Sequence, residues 1–500
     1  MNKQYGTIAV LLGKAAEALS VEDIVGLVRE RNVEMVNFMY PAADGRLKTL
    51  NFAIHSENYL LSVLTEGERV DGSSLFPFIE AGNSDIYVIP RLHTGFMDPF
   101  EENPVLCFLC AFFDKDGNRL ELSPEYTVCK AADAFRKDTG MEFHAMGELE
   151  YYVSARDIDG SLSEFPATDQ KGYHESGPFA KFNGFRTECM KKIMYCGGKI
   201  KYGHSEVGNF RLGDVVYEQN EIEFLPVPVV EAADTLMIAK WVIRNLAVEY
   251  GLDVSFAPKI TEGKAGSGLH VHLKIVKDGV NMMTDASGKL SEIALKAIAG
   301  MMTLAPSITA FGNANPTSYL RLVPHQEAPT VICWGDRNRS VLVRVPLGWS
   351  AGKDMFSQVN PVPAPERTKT GKQTVEIRSS DCSADIYLLL SAICTACRHG
   401  LCMENALEVA QRTYVDVDIH RDENASRAEK LENLPASCVE SAGCLQRQRA
   451  VYEEQGVFSP QVISARIASL QAFEDSDLRM RIQNDPSLMS ELVRRYYYCG

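Results

Sequence analysis

Four short segments carry charged or imidazole side chains two residues apart: Glu148-Leu-Glu150, Glu221-Ile-Glu223, His270-Val-His272 and Glu376-Ile-Arg378. In an extended strand, residues i and i+2 point to the same face, so each segment would present two polar groups side by side. Taken singly, each pair reads more readily as the solvated face of a half-buried strand. Together they point elsewhere. If the strands share a sheet, their polar faces line one cavity, and carboxylates so close require cations to compensate them. A donor set rich in carboxylate, with few His and no Cys, suits hard octahedral ions, Mg²⁺ or Mn²⁺, rather than structural zinc.

A second concentration of charge lies in residues 315–346, where Arg321, Arg337, Arg339 and Arg344 gather in a chain that is acidic overall. Arginine forks bind phosphate and carboxylate in bidentate fashion, and a surface cluster paired with nearby acids is the plainer alternative. A metal–carboxylate cavity with converging arginines is what transfer of a nucleotide phosphoryl group needs. Neither Gly-x-x-x-x-Gly-Lys-Ser/Thr nor Gly-x-Gly-x-x-Gly occurs, so neither a Walker site nor a dinucleotide-binding site is supported. Cys107/Cys110 and Cys394/Cys397 have Cys-x-x-Cys spacing but sit inside apolar runs, which reads as core cysteine rather than metal knuckle. Asp71-Gly-Ser-Ser74 reads by itself as a turn or helix cap.

The elements that must position these residues divide near residue 115. Residues 1–115 read as a small α/β module. Ser20 and Asp23 cap a helix with the stripe Ile24, Leu27 and Val28. Strands 34–39 and 48–54 flank the hairpin signal Asp44-Gly45. Segment 85–90 and the apolar run ending at Phe113 complete its sheet, and Asp114 to Asn118 is a hairpin tip or a hinge. In residues 116–500 strands with one charged face alternate with helices over 229–250 and 291–311, which favours an α+β fold with helices packed on an antiparallel sheet. The tail, Leu492 to Tyr498, is too aromatic to stay in water and is expected to dock, with another subunit as one candidate surface.

Composition narrows the function classes. The chain has 500 residues, 51 Lys plus Arg and 66 Asp plus Glu, a formal charge of −15. That balance disfavours coating nucleic acid or an anionic membrane, both of which need cationic surface. No transmembrane helix and no secretory signal are expected. Thirteen Cys without framework spacing fit a reducing cytosol, so the location expected is cytoplasmic.

Seven ordered motifs resemble the glutamine synthetases of the class I bacterial type. They are Asp71-Gly-Ser-Ser74, Gly147-Glu-x-Glu150, His204-x-Glu206 with Gln219-Asn-Glu221, Gly266-Ser-Gly-x-His-x-His272, Asn315-Pro to Glu327-Ala-Pro, Arg339 to Pro346 and Glu376-Ile-Arg378. The resemblance runs from about residue 20 to about residue 435. It implies a small N-terminal β-grasp domain and a large catalytic domain with a curved sheet. It also implies a homo-oligomeric ring, a hexamer or a double-ring dodecamer, with active sites between neighbouring subunits. Two or more Mg²⁺ or Mn²⁺ ions are implied, one on Glu150, Glu206 and Glu221 and one on Glu148, His270 and Glu376. ATP is then a co-substrate contacted by His272, Arg339 and Arg344; Arg321 and Arg378 grip substrate carboxylates, beside Gly266. Glu327 closes a flap over the intermediate, and Asp71, Ser74 and Tyr173 form the ammonium site. The reaction implied joins glutamate and ammonium at the expense of ATP; a ligase for a larger amine and a non-catalytic relative are the alternatives.

The chain departs from the family pattern at several places. Ala265 replaces a customary Asn, Lys274 a frequent Ser and Thr374 an Arg, and Ala384-Asp-Ile-Tyr387 replaces Ala-Asn-Pro-Tyr. Fourteen residues separate Glu206 from Glu221, about twice the family's usual gap, which predicts an inserted loop beside the metal site. The Tyr that some relatives adenylylate is absent near Leu434-Pro435, and the C-terminal tail matches poorly.

Overall fold

A computed structural model describes residues 5–323, 328–348, 355–363, 371–419, 421–424 and 429–500. Glu327, the flap residue of the resemblance, lies outside them.

The small domain is built as its turn chemistry predicts. Ser20 Oγ accepts from the Asp23 amide while the Asp23 carboxylate accepts from the Ser20 amide, a reciprocal cap that starts helix Val21–Arg31. Its buried stripe, Ile24, Leu27 and Val28, packs with Leu60, Val63 and Leu64 of helix Glu57–Glu66 in one hydrophobic cluster. Beneath them are strands β1 (Met35–Pro41), β2 (Leu47–Ala53), β3 (Glu68–Asp71), β4 (Asp85–Pro90), β5 (Phe96–Met97) and β6 (Val105–Phe113). The sheet order is β2-β1-β6-β4-β3, with β5 on β6; β1 and β6 run parallel and the other pairs antiparallel, a β-grasp arrangement. Asp114 to Asn118 closes as a tight turn, Asp114 N donating to Asn118 O at 2.8 Å, before helix Pro124–Thr139 opens the large domain.

The large domain carries β7 (Glu142–Arg156), β8 (Ile200–Leu212), β9 (Val215–Phe224), β10 (Val227–Pro228), β11 (Asp253–Ser255), β12 (Leu269–Lys277), β13 (Val280–Asn281), β14 (Trp334–Asp336), β15 (Val343–Val345) and β16 (Val375–Ile377). Their order is β14-β15-β16-β12-β7-β9-β8, with β10 and β11 on β7 and β13 on β12. Every pair is antiparallel except β14 with β15. Side chains alternate across a strand. Leu149, Tyr151 and Val153 of β7, Val271, Leu273 and Ile275 of β12, and Ile222 and Phe224 of β9 therefore share one face, and they join the core formed with helices Val229–Tyr250, Glu292–Gly312 and Ile386–Cys402. The intervening residues, the acids and imidazoles, occupy the opposite face. Helix Glu292–Gly312 is long and apolar enough to cross a bilayer, but its apolar surface is largely spent inside this core. Both Cys-x-x-Cys pairs are buried free thiols in β6 and helix Ile386–Cys402.

The tail docks on its own chain. After helix Ser487–Tyr496, the Tyr497 hydroxyl lies 3.4 Å from Ser154 Oγ and the Tyr498 hydroxyl donates to Asp253 at 3.0 Å. Arg46 of the β1–β2 hairpin donates to the Tyr498 carbonyl at 3.0 Å, so the tail also touches the small domain.

Candidate active site

Strand register brings the polar pairs into rows. Glu376 stands opposite His272; His270 opposite Glu148, and Glu148 opposite Glu223; Glu150 opposite Glu221, and Glu221 opposite His204. The result is a continuous acid and imidazole surface across β16, β12, β7, β9 and β8. Three sets of donors have ligand atoms within 4.8 Å of one another: Glu148, His270 and Glu376; His204, Glu206 and Glu221; and Glu148, Glu223 and His272.

Glu148 is the hinge of the array. Its two carboxylate oxygens each lie 2.8 Å from an imidazole nitrogen, one from His270 Nδ1 and one from His272 Nε2. Burial opposes its charge, but the two imidazoles outweigh that and hold the carboxyl well below its usual range. Glu376, fully buried, is bracketed by arginines: Arg378 Nη1 donates to one oxygen at 2.6 Å and Arg344 Nε lies 3.2 Å from the other. Burial is the largest influence and raises its carboxyl, but Arg378, His272 and Arg344 together outweigh it, so it is lowered. Glu221 goes the other way. Burial, and then the charges of Glu148, Glu150, Glu223 and Glu376, push its carboxyl well above the ordinary value. A cation placed among these groups would relieve that repulsion.

The supporting residues explain how the array is held. Thr374 Oγ1 lies 3.0 Å from His272 Nδ1 and so orients this imidazole. Gln219 donates to Glu150 at 3.0 Å and to the Gly266 carbonyl at 3.1 Å, and its own carbonyl accepts from the Gly208 amide at 3.1 Å. Glu150 also accepts from the Gly268 amide at 2.7 Å. Arg321 is buried, donating to the carbonyls of Ser379 at 2.9 Å and Arg378 at 3.3 Å. Gly266 and Gly268 permit this close passage: a Cβ on Gly268 would sit 2.5 Å from Arg321 Nη2, and one on Gly266 3.0 Å from Arg321 Cγ.

The long segment between Glu206 and Glu221 is not an inserted loop. It extends β8 and β9 to a two-residue turn at Gly213-Asp214, where Leu212 pairs with Val215. The ladder breaks between the Ser205–Asn220 and Asn209–Glu218 pairs, so Glu206, Val207 and Gly208 stand against Gln219 alone. Such a bulge bends the strand and re-aims its side chains, and Glu206 lies in it.

Other residues singled out by the sequence lie at the margins. Tyr173 is half exposed, stacked on His174 at 4.1 Å between ring centres and edge-on to His204 at 5.4 Å. Arg339 is exposed in the link between β14 and β15. Asp71 and Ser74 are exposed in the small domain, where Asp71 caps its own turn. The hydroxyls of Ser74, at 2.6 Å, and Ser73, at 2.7 Å, both donate to its carboxylate and lower its pKa.

Two members of the array, His204 and Glu223, have no role in the sequence reading. His204 lies 3.4 Å from Glu221 and 3.7 Å from Glu206 and joins them in one donor set, while the carboxylate of the expected Glu150 is engaged by Gln219 and Gly268. Glu223 is half of the polar pair Glu221-Ile-Glu223 and faces Glu148 across β7 and β9. The i, i+2 rule that found Glu221 applies to both.

The sequence matches two models of one family, "Glutamine synthetase, beta-Grasp domain" over residues 32–115 and "Glutamine synthetase, catalytic domain" over residues 121–486. The chain belongs to the glutamine synthetase family. It is 29% identical over 441 residues to a glutamine synthetase of Clostridium saccharobutylicum, covering 87% of this chain and 91% of the relative. A glutamine synthetase of Mycobacterium tuberculosis is 28% identical over 484 residues, with 89% and 94% covered. A protein named 3-hydroxylaminophenol mutase from Cupriavidus pinatubonensis is also 28% identical, over 480 residues, with 90% and 94% covered. Among solved structures, one titled "Apo GmaS without ligand" superposes with a TM-score of 0.71 over 91% of this chain and 96% of that one, at 19% identity, and shares the fold. The chain is thus a ligase of the glutamine synthetase family in two-domain form, and its acid and imidazole face carries groups that could bind the divalent metals the family uses.

Proposed function

We propose that the chain is a glutamine synthetase of the class I bacterial type. It joins ammonia to the γ-carboxylate of glutamate with ATP, through γ-glutamyl phosphate, giving glutamine, ADP and phosphate. The observation that carries this reading is Glu376, bracketed by Arg344 and Arg378 at the edge of a buried row of carboxylates and imidazoles. Carboxylates at that density answer to divalent cations, and arginines beside them answer to phosphate.

Glu148, His270 and Glu376 would hold one Mg²⁺ or Mn²⁺, and Glu206 and Glu221, with Glu150 and His204 beside them, another. Ions held there would supply positive charge against phosphate and carboxylate oxygens. The chain's own groups do the rest. A carboxylate is a poor electrophile, and phosphorylation makes it a good one. Arg344 and Arg339 stabilise the γ-phosphoryl group as it passes to the glutamate oxygen, while His272 contacts ATP. Arg378 and Arg321, next to Gly266, orient glutamate. Ammonium must shed a proton before it attacks, and Asp71, Glu206 and Glu327 attract the cation and take that proton. Ser74 and Tyr173 complete the ammonium site, and closure by Glu327 keeps water from the acyl phosphate.

Asp71 and Ser74 are exposed in the small domain and bond within their own turn, which supports a site completed by a neighbouring subunit in a hexameric or dodecameric ring. The acidic charge balance and the free thiols, most of them buried, support a cytoplasmic enzyme without nucleic-acid or membrane partners.

A larger amine as nucleophile is the second reading. It is favoured by Ala265, which offers only its amide to Gln170 and its carbonyl to Tyr152 where the family has an Asn side chain, and by the extended β8–β9 arm. The relative named as a mutase also shows that names other than glutamine synthetase occur at this level of identity. Phosphate release from ATP with Mg²⁺ and glutamate, with ammonium or one of a series of primary amines, and product identification by mass, decides between them. Glutamine formed with ammonium bears out the first reading. Turnover only with a substituted amine replaces it with the second, and no phosphate release with any amine points to the non-catalytic alternative.

A further inference from the structure

Arg321, which grips glutamate in the function proposed above, is the last residue of helix Pro316–Arg321. The helix stops there for a local reason. Leu322 N donates to the Ser318 carbonyl at 3.1 Å and Val323 N to the Arg321 carbonyl at 2.9 Å, so the Tyr319 carbonyl is left without an intrahelical donor. The missing donor comes from 160 residues away. Arg479 Nη2, from helix Leu478–Asn484, donates to the carbonyls of Tyr319 and Leu322, at 3.0 Å each. A guanidinium at a helix C-terminus satisfies orphan carbonyls and suits the negative end of the dipole. These two carbonyls flank Arg321 in the chain, so one side chain holds the backbone before and after it.

The same C-terminal region meets the other end of the helix. Asn315 caps it by accepting from Thr317 N at 2.9 Å, and its amide donates to Cys499 Sγ at 3.6 Å. Between these two points the packing is open. Cavities of about 200 and 230 Å³ lie between the helix and the C-terminal segments, and Asp475 and Leu478 line both. Unfilled space gives no contacts to hold a neighbour, so the tie at the Arg321 end is polar. On the active-site side the Arg321 guanidinium donates to the carbonyls of Ser379, Ser380 and Arg378, in the stretch after β16. We propose that Arg479 is a positioning residue for glutamate. It does not touch substrate; by fixing the carbonyls on both sides of Arg321 it holds that guanidinium where the substrate carboxylate arrives.

The proposal rests on the assignment of Arg321 to glutamate, and one experiment separates the two. Calorimetry on the full chain measures affinity for a non-hydrolysable ATP analogue with Mg²⁺, and for glutamate in the presence of both. The proteins compared are the wild type, Arg479→Ala, Arg479→Lys and Arg321→Lys. Arg479 is exposed, so its truncation leaves no buried void. Arg479→Ala is expected to weaken glutamate binding by about tenfold, the worth of one charge-assisted hydrogen bond, with affinity for the analogue unchanged. Arg479→Lys keeps the cation and can make one of the two bonds, so its glutamate affinity should fall between. Wild-type glutamate affinity in Arg479→Ala, or an equal loss for glutamate and the analogue, overturns the role of Arg479; weakened glutamate binding in Arg321→Lys then leaves the proposed function standing. Wild-type glutamate affinity in Arg321→Lys, or no glutamate binding by the wild type, removes the assignment of Arg321 and the role of Arg479 with it. Should Arg479→Ala fail to fold, the same comparison with Arg479→Lys decides.

Discussion

Arg91 and Asp234 are joined by two parallel hydrogen bonds, 2.7 and 2.8 Å long, across the boundary between the small domain and helix Val229–Tyr250. Both side chains are about nine-tenths buried, and Tyr387 donates to the same carboxylate at 2.7 Å. Removing one partner of a buried pair leaves a charge without compensation. Arg91→Ala is expected to destabilise the chain by about 3–5 kcal/mol in denaturant unfolding. Asp234→Asn in that background should restore part of the loss, because it removes the stranded charge.

Glu376→Ala takes away the carboxylate that Arg344 and Arg378 bracket and that faces His270. Mn²⁺ affinity should fall by more than the roughly 10–100-fold that loss of an outer partner costs, and ATP turnover should cease. Calorimetric titration with Mn²⁺ and phosphate release measure the two effects. Unchanged turnover would remove Glu376 from the metal site.

Thr374→Val keeps volume and deletes the oxygen against His272 Nδ1. An imidazole without its orienting partner holds the Glu148 carboxylate less well, and a loss of roughly 10-fold in Mn²⁺ affinity is expected with little change in folding stability. Thr374→Ser should retain affinity, which separates the hydroxyl's role from packing.

Lys240 is fully buried on helix Val229–Tyr250, where burial pushes its pKa down to about 8, and it donates to the Cys382 carbonyl at 2.8 Å. An unfolded lysine titrates near about 10.4, so between about pH 8 and that value the unfolded chain holds more protons. Lys240 therefore contributes a rise in stability with pH across that window and a constant penalty below it. Relative to Lys240→Met, the wild type should gain up to about 1.4 kcal/mol per pH unit there. Parallel unfolding curves for the two proteins from about pH 7 to 10 check the sign.

Glu221 leads to a different pH dependence. Its carboxyl is held up by burial and by four neighbouring acids, and a bound cation requires it ionised. Mn²⁺ affinity should therefore rise with pH beyond the ordinary carboxylate range, and protein stripped by a chelator should lose most stability at the alkaline end. Thermal unfolding with and without Mn²⁺ at several pH values shows whether the gap widens as stated.

Much of this architecture was legible in local sequence. Helix Val229–Tyr250 and strand β4 lie where periodicity and flanking residues put them, and the Ser20–Asp23 cap forms as read. The four polar pairs do share one sheet face, because alternation along a strand is a local rule. What escaped is non-local. Nothing near Arg91 in sequence announces Asp234, 143 residues away, nor does the spacing of Glu206 and Glu221 distinguish a loop from a bulged pair of longer strands. The tail's partner was equally hidden, since an aromatic segment declares that it will be covered and not by what.

The extended β8–β9 arm separates two kinds of length change. Beyond the bulge its strands pair in register from Asn209–Glu218 to Leu212–Val215, outside the acid row. Shortening both strands by one residue at the tip leaves every inner pair facing as before, whereas losing one residue from a single strand slides the ladder and turns its side chains over. Inheritance can therefore lengthen or trim this arm in matched steps while Glu206 and Glu221 stay in place. Single-residue changes are absorbed where the ladder is already broken, at Glu206 to Gly208 and again between Ile200 and Tyr202.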